Sequence, residues 1–200
     1  NMFEKSLDVT DEYGHGTHVA GLLVGKHTGV APEAELYVSK VLNANGIGSM
    51  ASVVDGITFA INHEVDILCI SLGVPYNIPL IIKQRIVEAY EAGITIVCAV
   101  GNNGSKDPLY PAYMDEVIAV GGLDKELNVS RFSNGGYDIL APSIDILSTY
   151  KDNNYCRMTG TSMASPLVAG GIALLISYYR KQGRELSPYE FNQFMEYYLG

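Results

Sequence analysis

Residues 160–166 read Gly-Thr-Ser-Met-Ala-Ser-Pro, between a short polar segment (151–154) and a long apolar run (167–179). That context predicts a buried helix with Ser162 as its first or second residue. A serine in that place gains two things. The backbone N–H groups of a helix start lack partners within the helix and can donate to an oxyanion. The positive end of the helix dipole also favours developing negative charge. Gly160 permits a tight entry turn, and Pro166 falls in the first turns, where its missing N–H costs little. Taken alone, the same string also describes an ordinary Ser/Thr helix cap.

Two further motifs carry chemistry-bearing side chains. Gly14-His15-Gly16-Thr17-His18-Val19-Ala20-Gly21 sets a histidine at a glycine-lightened helix start. Ala99-Val100-Gly101-Asn102-Asn103-Gly104 follows the apolar run 94–98, which reads as a buried strand. His15 and His18 stand at helical spacing and are also compatible with a metal pair. No third ligand is evident, and Gly16 would loosen the pair. Asn102 in Asn-Asn-Gly is also a common turn residue.

With these motifs in the order His, Asn after a strand, Ser at a helix start, the chain resembles the subtilisin-like serine proteases. The resemblance continues in Gly29-Val30-Ala31-Pro32, Lys40-Val41-Leu42, Ser71-Leu72-Gly73, Val117-Ile118-Ala119-Val120-Gly121 and Ala141-Pro142, covering nearly all of residues 11–182. It implies a three-layer α/β fold, a mostly parallel sheet between helices. It implies a serine endopeptidase that hydrolyses peptide bonds through an acyl-enzyme. Ser162 would be the nucleophile, activated by His15 as base, since a serine hydroxyl is weak until its proton is removed. His18 would be structural. Asn102 would donate its side-chain amide to the oxyanion beside the Ser162 N–H. Gly46-Ile47-Gly48 and Ser71-Leu72-Gly73 would bind a peptide or protein substrate as an added strand. Ala99 and Gly101, with residues 71–73 and 109–110, would wall the pocket before the scissile bond, favouring an apolar or uncharged residue there. No cofactor is implied as required.

Three departures from the family pattern stand out. Leu167 occupies a place where many members carry a structural histidine. The connection from Gly21 to Gly29 is short and lacks the oxygen-rich residues of a calcium loop, which leaves a weak calcium site near Asp124 as the metal expectation. The aspartate that completes the family's triad, at the end of an apolar strand upstream of the histidine, has no counterpart. Only residues 1–14 precede His15, and Asp8 and Asp11 sit in a polar stretch. The expected fold is therefore one with N-terminal strand(s) missing from the middle of its sheet. A separate N-terminal fragment or a propeptide becomes an expected partner. The alternative function is an inactive pseudoprotease, or a protease fragment that binds such a partner.

The elements that must position these residues follow from pattern. Strands are expected at 35–42, 66–72, 94–100, 117–121, 138–141 and 144–149. Helices are expected near 15–24, 49–63, 80–92, after Ser162, and from the capping box Ser187-Pro188-Tyr189-Glu190. Alternating strands and helices imply a parallel sheet covered on both faces. Sites in such sheets lie beyond the carboxyl ends of the strands, where Ser71 and Asn102 fall. The 200 residues suit one domain; 48% are hydrophobic and 18% charged, which excludes a disordered chain. A net charge of −9 argues against a nucleic-acid partner. No apolar run of membrane-spanning length is expected without an interrupting charge or turn. The three cysteines, Cys69, Cys98 and Cys156, suggest free thiols. Cys98 lies near Asn102 but lacks the basic neighbour or helix start that would make it a nucleophile. Secretion is the family's habit, and free cysteines leave an intracellular setting open.

Overall fold

In the computed structural model, residues 1–75 and 77–199 are described, with side chains described through residue 193. Four strands, β1 (Ile67–Ile70), β2 (Thr95–Ala99), β3 (Val117–Leu123) and β4 (Ile139–Pro142), form a parallel sheet in the order β1-β2-β3-β4. Every residue of β2 is buried, as an apolar run in a doubly covered sheet requires. Side chains alternate between the two faces. Ile96, Cys98 and Val100 join a core with Ile57, Ile82, Ile86 and Ala89. Val97, Ile118 and Val120 join another with Ala164, Val168, Ala169 and Ile172.

The helices fill the outer layers. One face carries α2 (Met50–Asn62) and α3 (Leu80–Glu91). The other carries α4 (Thr161–Arg180), which packs on all four strands and on α1 (His15–Val24). Ser49 caps α2 by accepting from the Ser52 N–H at 3.0 Å. Gly93, at φ +87°, follows α3 in the left-handed region that only glycine adopts without strain. The capping box opens α5 (Pro188–Leu199) as its sequence implies: the Ser187 hydroxyl and N–H both donate to the Glu190 carboxylate.

Three expectations need correction, and one strand was not expected. Residues 35–42 form no strand apart from one antiparallel bridge, Leu42 to Gly48. A strand needs a hydrogen-bonded neighbour. A cavity of about 1100 Å³ lies against this segment, with β1 across it. The segment instead takes the Met2 N–H on its Lys40 carbonyl at 2.9 Å and the Ser52 hydroxyl on its Val41 carbonyl at 3.0 Å. Residues 151–153 of the polar stretch are the turn of an antiparallel hairpin, β5 (Ile146–Tyr150) with β6 (Asn154–Met158). α4, at mean hydropathy 1.4, is long and apolar enough by composition to cross a membrane, but it is the core helix of this sheet. Pro166 is the sixth residue of α4, past its first turn, so the Ser162 carbonyl lacks its helical donor.

Candidate active site

The helix that presents His15 is fixed at both ends of its first turn. Gly14, at φ +98°, turns the chain into α1. Asp11 caps the helix: one carboxylate oxygen accepts from the Gly14 N–H at 2.7 Å, the other from the Thr17 N–H at 2.8 Å and hydroxyl at 2.7 Å. Partial burial works to raise the Asp11 pKa. The hydrogen bonds from Gly14, Thr17 and Tyr13 together outweigh it and hold the carboxyl below its usual range.

The next turn of α1 is docked on the hairpin. The Ser148 hydroxyl donates to the His18 carbonyl at 2.8 Å and the Thr149 hydroxyl to the Thr17 carbonyl at 2.9 Å. Gly21 is needed here, because a β-carbon on it would stand 2.1 Å from Thr149 Oγ1. His18 is fully buried, and its Nε2 faces the carbonyls of Ile146 and Cys156 at 3.1 and 3.2 Å. Two carbonyl acceptors require the proton on Nε2. Burial lowers the His18 pKa, against the pull of those carbonyls, and the side chain ties helix to hairpin.

His15 sits at the first position of α1 and lines the cavity together with Ser71 and Leu72. Burial lowers its pKa, Asp11 works the other way, and His18 adds to the lowering. The His15 imidazole makes no hydrogen bond among the described residues. Asp11 is the carboxylate whose field it feels, and Asp11 is committed to the helix cap.

The serine end is fastened separately. Thr161, fully buried, is the first residue of α4. Its N–H donates to Asn102 Oδ1 at 2.8 Å and its hydroxyl to the same oxygen at 3.0 Å. The hydroxyl also accepts from the Gly101 N–H at 3.2 Å. The amide of Asn102 is thereby held by its oxygen, and its Nδ2 lies 3.3 Å from the place a β-carbon on Gly160 would take. Nδ2 itself makes no hydrogen bond among the described residues. The Ser162 hydroxyl donates to the Ser71 carbonyl at 3.1 Å and not to His15. The Ser71 hydroxyl pairs with that of Ser165 at 2.8 Å, which ties the end of β1 to the same helix turn.

The structure therefore gathers Ser162, Asn102, Ser71 and Gly101 around the start of α4, and sets His15 on the neighbouring helix α1. Gly46, at φ +72°, turns against the Tyr13 ring, with Ile47 exposed and Gly48 bridged to Leu42. Leu72 lines the cavity, Gly73 approaches Leu109, and Ala99 ends the buried strand β2.

Two positioning residues escaped sequence reasoning. Asn134, fully buried, accepts from the N–H groups of Asn103 and Ser105 and donates to the Val100 carbonyl, which shapes the loop carrying Asn102. Its only signal was Ser-Asn-Gly, a generic turn. Thr161 lay inside the serine motif, but nothing in the sequence pointed to its bond with Asn102.

Burial raises the pKa of all three thiols, Cys156 among them. Burial pushes Cys69 up to about 11 and Cys98 well above its ordinary value. No group of three or more His, Cys, Asp or Glu side chains converges among the described residues. Asp124 spends its Oδ1 on the N–H groups of Glu126 and Asn128.

A half-buried helix-start serine, an asparagine locked to the same helix end and a histidine on the next helix, all on a parallel sheet, make up a serine-hydrolase type of site. A model of the subtilase family matches residues 4–197. Subtilisin DY of Bacillus licheniformis is 43% identical over 181 residues, covering 85% of this chain and 66% of the relative. The major intracellular serine protease of Bacillus subtilis (strain 168) is 42% identical over 196 residues, covering 91% and 61%. The crystal structure of a cold adapted subtilisin-like serine proteinase superposes with a TM-score of 0.87 at 29% identity, over 95% of this chain and 69% of that one. The chain belongs to the subtilase family. It spans about two-thirds or less of the length of these two sequence relatives.

Proposed function

We propose that this chain is the catalytic portion of a serine endopeptidase. Ser162 attacks the carbonyl of a peptide bond, His15 takes the hydroxyl proton and returns it to the leaving amine, and water then hydrolyses the acyl-enzyme. Asn102 Nδ2 and the Ser162 N–H hold the oxyanion. The observation that carries this reading is the pair of hydrogen bonds that the Thr161 N–H and hydroxyl donate to Asn102 Oδ1. It spends the amide's acceptor on the helix end and leaves its donor free beside Ser162. Residues 71–73 and 46–48 bind the substrate backbone.

A carboxylate to orient His15 is the piece that Asp11 does not supply, since its oxygens are held by Gly14 and Thr17. We assign it to an extended apolar segment that fills the cavity and pairs with the free edge of β1. Interiors hold few voids larger than a water molecule. Here a cavity of about 1100 Å³ lies between a strand edge on one side and the unpaired segment 35–42 on the other. The cavity reaches His15, so a segment lying in it can end with its acid beside the imidazole.

A second reading, an inactive chain that binds such a segment, is favoured by the same lack of a carboxylate on His15. Fluorophosphonate labelling separates the two. Labelling of the protein that disappears in S162A and H15A supports the enzyme. Absence of labelling, with tight binding of an apolar peptide, supports the inactive reading.

A further inference from the structure

We infer that Leu109 plugs the pocket that receives the substrate side chain before the scissile bond, and so restricts this protease to small residues there, such as glycine, alanine or serine. The inference rests on the endopeptidase reading above.

Two strand-end segments leave the sheet beside Ser162. Residues 71–73 continue β1, and residues 100–102 continue β2. Ser162 touches the first through the Ser71 carbonyl, and Asn102 belongs to the second. A peptide carbonyl placed between Ser162 Oγ and Asn102 Nδ2 therefore directs its own side chain into the slot between the two segments.

Each segment offers that slot a glycine, Gly73 and Gly101, which would leave it open. Leu109 takes up the space that the two glycines release. A β-carbon on Gly101 would stand 2.6 Å from Leu109 Cγ and 2.7 Å from its Cδ1. One on Gly73 would stand 2.9 Å from Leu109 Cβ and 3.4 Å from the same Cδ1. A single methyl thus bridges the two walls. The glycines admit the leucine, and the leucine excludes a large substrate side chain.

Leu109 is not free to withdraw. Its N–H donates to the Val100 carbonyl at 2.8 Å, and its carbonyl accepts from Tyr113 N–H at 3.1 Å. The next residue, Tyr110, exchanges both backbone bonds with Val74 at 3.0 Å. The side chain is therefore carried by a backbone pinned to both walls of the slot. Those backbone bonds survive truncation of the leucine, so the variants L109A and L109G keep their scaffold.

The test compares cleavage of succinyl-Ala-Ala-Pro-Ala and succinyl-Ala-Ala-Pro-Phe p-nitroanilides by the whole protein, L109A and L109G. Binding of the matching peptide acids to S162A backgrounds is measured by calorimetry. The expected result is a kcat/KM ratio favouring alanine in the parent, and a swing toward phenylalanine of about tenfold or more in L109G, with L109A between. Peptide-acid affinities should follow the same order. Ser162-dependent cleavage that prefers phenylalanine in the parent, or a ratio unmoved in L109G, overturns the pocket assignment and leaves the protease reading standing. Absence of both Ser162-dependent cleavage and peptide-acid binding overturns both.

Discussion

Replacing Thr161 by valine tests the fastening on which the oxyanion reading depends. Valine keeps the branched shape and the methyl that packs near Gly122, and removes only the hydroxyl. That hydroxyl serves the Gly101 N–H at 3.2 Å and Asn102 Oδ1 at 3.0 Å. Thr161 is fully buried, so water does not replace it. The orphaned Gly101 N–H costs about 1–3 kcal/mol, and the second lost bond about 0.5–1.5 kcal/mol. Asn102 Oδ1 retains the Thr161 N–H, so its own desolvation is only partly exposed. The sum is about 2–4 kcal/mol. At about 2–4 °C per kcal/mol for a chain of this size, T161V melts roughly 4–16 °C lower. Activity should fall through kcat more than KM, because the Asn102 amide gains freedom where the oxyanion forms. Calorimetry and steady-state kinetics on T161V and T161S read both effects. T161S keeps the hydroxyl and loses one methyl, so it should stay within about 1 kcal/mol of the parent. If T161V melts with the parent, or T161S falls as far as T161V, the hydroxyl does not hold this loop.

Three further outcomes are expected. Since His15 must be neutral to act as a base, the acid limb of the kcat/KM profile should follow its pKa, which burial lowers and Asp11 raises. D11N removes the opposing field, so activity should persist to still lower pH, and a pH–rate profile measures the displacement. G21A places a methyl on the Ser148 and Thr149 hydroxyls. It should destabilise the fold by about 1–3 kcal/mol or more, read by urea denaturation, while G171A, with nothing within 4 Å of its β-carbon position, should not. A chelator should leave the thermal transition where it is; a large fall in the melting temperature would reveal a calcium site that the short 21–29 connection does not suggest.

The helices and the central strands were legible because their signals are local. Ser187 and Glu190 announce a cap, and the run 94–100 is too apolar to lie anywhere but inside. Residues 35–42 carry an equally good strand pattern and form none, because a strand is a property of two neighbours and the pattern describes only one. The hairpin β5–β6 was hidden for a related reason: its second strand is polar and mostly exposed, so it has no apolar alternation to betray it. At the site, the motifs located Ser162, Asn102 and His15 correctly on their elements. They could not show that Ser162 rests on the Ser71 carbonyl, since that contact spans 91 positions of chain. Nor did Asn134 advertise itself, because its three bonds all go to backbone groups of a distant loop.

Pro166 interrupts the hydrogen-bond ladder of α4 at Ser162, the residue proposed as the nucleophile. The turn 161–165 consequently belongs less to its own helix than to its neighbours: Thr161 to Asn102, Ser162 to Ser71, and Ser165 to Ser71. The long apolar remainder of α4 works as a foundation set into the sheet, and the serine turn as a fitting bolted to the loops above it. Small settling of the foundation, as core side chains vary, need not travel into the fitting. A change in the loop at 101–102 reaches Ser162 directly, whatever the rest of the helix does. In mechanical terms Ser162 is referenced to the loops beside it, so its hydroxyl oxygen and those loops shift together when the core is repacked.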